Sequence, residues 1–185
     1  MSKKGTHTTS DYLEFDNALN KASKLLDGKD QNFGLYIIVS INVGLRVSDV
    51  LKLTWEQLRQ DKIVLTEQKT GKRREILLNH HIKKAVNKID KGYSGSVFKS
   101  QKGTVYSIMT INRKLKALFG SKTKNLNLSS HSCRKTFGRA IFFAAGESEK
   151  ALIYLSDLFN HNSSKVTRVY LGIRQEELNN LYAML

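Results

Sequence analysis

Proline is absent from the 185 residues, cysteine and tryptophan occur once each, and nowhere do eighteen apolar residues follow one another. The missing apolar run excludes a membrane-spanning helix, and Met1 to Ser10 holds no apolar stretch that could act as a secretory signal. With Cys133 alone no disulfide can close within the chain, and no Cys/His cluster has the spacing of a zinc site. The absent proline carries no functional reading. These absences lead to the expectation of an intracellular, cytoplasmic protein without structural metal. Acidic residues are also scarce: 31 Lys and Arg face 16 Asp and Glu, a formal charge of +15 with a pI of about 9.9. From Lys91 to Gly146 there is no acid at all. Eleven cations lie there, so the segment carries +11 of the total. Interspersed signs would keep a protein soluble, whereas so long an acid-free run offers its cations to an external polyanion. Nucleic acid is the leading partner, ahead of another anionic substrate on a solvated basic surface. No basic amphipathic helix with a broad aromatic face favours a membrane surface.

What is present, at 40% hydrophobic content, suffices for one domain with a real core. Residues 1–10 are polar and expected to be flexible. Tyr12, Phe15, Leu19, Ala22 and Leu26 recur at helical spacing, with Ser10 or Thr9 as N-cap. Phe33 to Val43 is apolar nearly all round, which predicts a buried helix ending at Gly44. A shorter helix is expected over 47–53. Lys62 to Glu67 and Arg74 to Leu78 flank Lys69-Thr70-Gly71-Lys72 as a hairpin. Further helices are expected at about 80–90, 107–119, 130–145, 148–159 and 174–184, with loop at 91–106 around an extended piece at Val97-Phe98. The fold class is α+β: mainly helical, with a small antiparallel hairpin or three-stranded sheet.

Three places hold groups suited to phosphate chemistry. Arg46, in Gly44-Leu45-Arg46-Val47-Ser48-Asp49, joins two apolar helices, where a guanidinium needs an anion; Asp49, three residues on, could be that anion. His131 and Arg134, in His131-Ser132-Cys133-Arg134, would stand one turn apart on a helix capped by Ser129 or Ser130, so both can reach one phosphate. An ordinary polar surface turn is the alternative. Cys133 reads as a small core residue. His161, in Leu158-Phe159-Asn160-His161, precedes Tyr170 by nine residues. Singly, these read as a helix C-cap and a half-buried aromatic; together with cations, a tyrosine can serve as nucleophile.

Taken in order, these features resemble the tyrosine recombinases of the phage integrase family, over about residues 11–175. Arg46 sits in the Gly-Leu-Arg-x-Ser-Glu/Asp motif, with Leu51 to Trp55 in register after it. Lys69 matches the hairpin lysine, His131 and Arg134 the His-x-x-Arg box, His161 the third-position His/Trp, and Tyr170 the nucleophile. Asp49 stands where Glu is commoner, Lys135 where His is frequent, and Asn160 where Gly is usual.

The resemblance implies a site-specific recombinase that breaks and rejoins DNA through a 3′-phosphotyrosyl intermediate without metal or ATP. In that chemistry Tyr170 attacks, Arg46 and Arg134 hold the non-bridging oxygens, and Lys69, with Lys72 as its local rival, protonates the leaving 5′-oxygen. His131 and His161 share the remaining proton and hydrogen-bond work. The implied partners are double-stranded DNA and a homotetramer assembled on it, with a monomer in its absence. A type IB topoisomerase or a catalytically silent DNA-binding regulatory module is the alternative. Family members carry a separate helical DNA-binding domain in front. Residues 1–10 are therefore expected to be a linker remnant and 11–185 the catalytic domain, with 171–185 a tail for exchange between neighbours.

Overall fold

In a computed structural model of the chain, residues 10–120 and 125–184 are described; Thr9 and most of the expected linker lie outside them. Among these residues the chain forms ten helices and two strands. The first helix, α1 (Phe15–Leu26), begins later than its apolar pattern suggests, with Glu14 at the N-cap. Ser10 is spent elsewhere. It is buried, its hydroxyl meets Ser129 Oγ at 2.7 Å, and the Leu13 amide donates to Thr136 Oγ1 at 2.8 Å. Residues 10–13 thus form a strap tied to the later helix that carries Thr136, and Ser10 does not cap α1.

The second helix, α2 (Gln31–Val43), is buried on every side and packs against α1. It ends where Gly44 takes the left-handed conformation, φ 63°. A Cβ at Gly44 would overlap the Phe137 ring. Gly44→Ala is therefore expected to destabilise the protein by roughly 2–5 kcal/mol, combining left-handed strain with overpacking. A thermal melt matching wild type would contradict this.

The expected 47–53 helix is only α3 (Val47–Val50), because Thr54 caps a separate short helix, α4 (Trp55–Leu58), through a reciprocal bond pair with Gln57. Strands β1 (Lys62–Thr66) and β2 (Arg73–Leu77) pair antiparallel, Lys62 opposite Leu77 and Thr66 opposite Arg73. No third strand joins them among the described residues. The extended piece around Val97 makes only isolated bridges, Thr54 with Ser96 and Lys99 with Val105.

Helices α5 (His80–Ile89), α6 (Ile108–Phe119), α7 (Ser130–Ala144) and α8 (Glu149–Phe159) follow closely where periodicity places them. Their N-cap side chains, Asn79, Ser107, Ser129 and Ser148, each accept a backbone N–H of the first turn. Helix α9 (Ser164–Leu171) was not legible as a helix; it spans two turns between the Ser163 cap and left-handed Gly172. The last helix is α10 (Ile173–Tyr182).

Two hydrophobic cores result. The larger is built around α2, with Leu35, Tyr36, Ile37, Leu58 and Phe98 all buried. The smaller joins Phe142, Leu152, Leu155, Phe159 and Leu171. Gly138 on α7 lets the smaller core close, since a Cβ there would come within 2.7 Å of Leu171 and 2.9 Å of Phe159. Helix α10 begins with Ile173 buried in the smaller core and is tied further by charge. Arg139 gives both oxygens of Glu176 a bond (3.0 and 2.8 Å), and Arg168 does the same for Glu177 (2.8 and 2.9 Å). No helix among the described residues is long and apolar enough to cross a membrane.

Candidate active site

The seam between the two cores is where the six expected side chains meet. Arg46, Lys69, His131, Arg134, His161 and Tyr170 all line one pocket of about 440 Å³, although they come from five separate parts of the chain. Elsewhere the acid-free segment is less exposed than its composition suggests. Lys114 is paired with Asp30 at 2.7 Å and Arg139 with Glu176, acids contributed from outside it. Lys91, Lys102, Arg113 and Lys116 remain exposed, while Lys122 and Lys124 lie outside the described residues.

Arg134 is 6% exposed, on the second turn of α7. Its Nη1 donates to the Gly44 carbonyl at 2.7 Å and its guanidinium lies 4.5 Å from the Phe159 ring centre, so it is locked to both cores. Burial, and then Arg46, lower its pKa to about 10 against the opposing effect of Tyr170 and Glu67, which leaves it charged at neutral pH. Arg46 does not pair with Asp49. Its Nη1 donates to Glu67 Oε2 at 2.8 Å and its Nη2 reaches the Phe159 carbonyl at 3.4 Å. Asp49, 4% exposed, accepts instead from the Gln68 amide at 2.9 Å, so it anchors the turn that carries Lys69.

His161 and Tyr170 are brought together by the turn that ends α8. Asn160 takes a left-handed conformation there, φ 56°, which glycine adopts freely and asparagine tolerates better than most side chains. This explains how Asn serves at the position where the resemblance leads to the expectation of Gly. It is Asn160, not His161, that caps α8; the His161 amide closes on the Ser156 carbonyl at 2.9 Å. His161 Nδ1 lies 2.9 Å from Thr167 Oγ1, which also meets Ser156 Oγ at 2.7 Å, so the ring orientation is fixed from within. The imidazole stands edge-on to Tyr170 at 5.0 Å, Phe159 does so at 5.5 Å, and Lys135 Nζ lies 5.2 Å from the tyrosine ring centre. Burial pushes the Tyr170 phenol up to about 12, against the opposing pull of Arg134 and Arg46.

His131 opens onto the mouth of the pocket. Packing around the ring, followed by the charges of Arg134, Lys135, Lys69 and Arg46, lowers its pKa below the ordinary 6.5. Each of these effects opposes protonation, so the neutral ring, able to accept a proton, persists to lower pH than usual. Proton NMR titration of the free protein should place the His131 midpoint below 6.5, and Lys69→Ala should move it upward; a midpoint above 6.5 would contradict this. Cys133, 1% exposed with its thiol pushed up to about 12 by burial, is a core residue and not a nucleophile.

Sequence reading missed Glu67, Arg74, Phe159 and Thr167. Glu67 stands two residues before the hairpin lysine, but nothing in the sequence pattern marks it as buried. Among the described residues no group of three His, Cys, Asp or Glu could hold a metal ion.

A family model described as the phage integrase family matches residues 14–177. The chain is 28% identical over 165 residues to the probable integrase/recombinase YoeC of Bacillus subtilis (strain 168), covering 85% of this chain and 86% of that protein. Its fold is similar to that of XerA recombinase (TM-score 0.66, 17% identity) and of XerH site-specific recombinase bound to palindromic difH substrate in a post-cleavage complex (TM-score 0.64, 16% identity). Each match covers 98% of this chain, which spans 66% of the XerA chain and 55% of the XerH chain.

Proposed function

The chain belongs to the phage integrase family, and from that premise we propose that it cleaves and rejoins double-stranded DNA as the catalytic domain of a site-specific recombinase. The observation that carries this reading is the convergence of Arg46, Lys69, His131, Arg134, His161 and Tyr170 on one pocket. Tyr170 attacks a backbone phosphodiester, forming a 3′-phosphotyrosyl bond and releasing a 5′-hydroxyl. A 5′-hydroxyl from a partner duplex then reverses the step. One phosphate ester replaces another, so no ATP is consumed. Arg46 and Arg134 place two fixed guanidinium groups where the non-bridging oxygens gain charge, the work a metal ion does in other phosphoryl-transfer enzymes. Lys69, exposed on its turn, protonates the leaving oxygen. Neutral His131 takes the tyrosine proton, and His161, held by Thr167, hydrogen-bonds a phosphate oxygen.

The XerH complex supports DNA as the substrate, as do the exposed cations of 91–116. The working assembly is a homotetramer on DNA, for which α10 offers its exposed Leu181 and Tyr182 to a neighbour. The protein acts where the DNA is, in the cytoplasm, as a domain that begins near residue 11. The test is incubation with a nicked suicide duplex in EDTA, followed by a second duplex bearing a free 5′-hydroxyl. Covalent complex and then joined product support recombination. Relaxation of supercoiled DNA without joining would instead indicate a topoisomerase, and binding without covalent complex a silent DNA-binding module.

A further inference from the structure

Glu67 is a carboxylate 1% exposed at the end of β1, and its two oxygens are shared among three donors. Oε2 accepts from Arg46 Nη1 at 2.8 Å and from Thr70 Oγ1 at 2.6 Å, while Oε1 accepts from Arg74 Nε at 3.0 Å. Its own backbone closes the hairpin turn, with the amide donating to the Lys72 carbonyl and the carbonyl accepting from Gly71, both at 2.9 Å. Arg74 continues outward, its Nη2 bonding the carbonyls of Leu158 at 2.7 Å and Asp157 at 3.2 Å, the last turn of α8 before His161. Arg46 reaches the Phe159 carbonyl on the same turn. One buried acid therefore joins the α2–α3 junction, the Lys69 turn and the end of α8.

Resting on the recombinase reading, we infer that Glu67 is a positioning residue, which fixes the Arg46 guanidinium and the Lys69 turn in register with His161 before the phosphate arrives. Two effects compete at this position. As a charge, Glu67 opposes the reaction, because a carboxylate beside Arg46 weakens the field that an incoming phosphate meets. As a tether, it favours the reaction by holding a long side chain in the productive geometry, and a misplacement of 1 Å at such a site slows chemistry about 100-fold. Glu67→Gln keeps the shape and removes the charge, so the two effects predict opposite results.

The test is single-turnover cleavage of the nicked suicide duplex by wild type, E67Q, R46K and the double variant, with duplex affinity and thermal melts alongside. E67Q is expected to bind the duplex at least as tightly as wild type but to cleave it about 10- to 100-fold more slowly. In the R46K background the same change should slow cleavage by less than about threefold, since a residue acting through Arg46 has little left to act on. Cleavage by E67Q at or above the wild-type rate, or an undiminished loss in the R46K background, overturns the inference. Should E67Q fail to melt cooperatively, Glu67→Asp replaces it. That variant keeps the charge but withdraws the carboxylate by one methylene, so the same slowing and the same coupling are expected, and a wild-type rate overturns the proposal equally. Failure of the recombinase reading is separately visible: wild type itself would then form no covalent complex.

Discussion

Tyr170→Phe is expected to abolish covalent attachment to DNA while leaving duplex affinity within about twofold of wild type, because affinity rests on cations and phosphates rather than on this hydroxyl. The loss should be at least about 10⁴-fold, the scale on which removing a residue of the reacting core acts in other enzymes. The ring itself stays: its edge-on contacts with His161 at 5.0 Å and Phe159 at 5.5 Å need no oxygen, so the fold is unaffected. Energetics explain why the rest of the pocket is needed as well. With the phenol at about 12, ionising it in advance at pH 7 would require about 7 kcal/mol. In the proposed mechanism the proton leaves as the new bond forms, into a neutral base, and burial together with the surrounding cations holds the His131 pKa below its ordinary value. Covalent complex formed by the Phe variant would show that another side chain is the nucleophile.

Arg134→Ala should produce the second large effect, slowing cleavage about 100- to 1000-fold, the usual result of removing one donor from a developing phosphoryl or acyl oxyanion. Here two losses coincide. The phosphate loses a donor, and the Gly44 carbonyl loses its 2.7 Å partner in a buried place, a fault of about 1–3 kcal/mol in stability. Arg134→Lys should recover little. An ammonium is one point of charge and cannot serve both the Gly44 carbonyl and a phosphate oxygen from a planar fork. Single-turnover rates on the suicide duplex, paired with thermal melts, separate the two losses. Cleavage by the Ala variant within tenfold of wild type would contradict the role given to this arginine.

How much of this was legible in the chain follows from where each residue gets its signal. Arg46, His131, Arg134 and Tyr170 stand in short motifs whose spacing survives whatever the tertiary structure does, so they could be named before the pocket was seen. The ends of α2 and α7 were legible for local reasons, left-handed Gly44 and the Ser129 cap. Glu67 was not, because an acid at the end of an alternating strand reads as exposed; its burial comes from Arg46 and Arg74, which are 21 residues before it and seven after. Asp49 seemed a partner for Arg46 by sequence distance, yet Glu67 occupies the guanidinium and leaves Asp49 to the Gln68 amide. Helix α9 was missed because eight residues give barely two turns of periodicity. The same limits apply to the charge. A run without acids does not leave every cation available, since Lys114 and Arg139 find acids contributed from elsewhere in the fold.

The central claim, that Tyr170 becomes esterified to the 3′ side of a cleaved DNA strand, is tested most directly by mapping the adduct. Wild-type protein is trapped on a nicked suicide duplex in EDTA, digested with nuclease and trypsin, and analysed by mass spectrometry. The account predicts a residual nucleotide, linked through its 3′-phosphate, on the peptide 169–174 that holds Tyr170. A nucleotide on a peptide holding an exposed tyrosine such as Tyr154 or Tyr182, or a trapped complex joined through the 5′ side of the break, would contradict it.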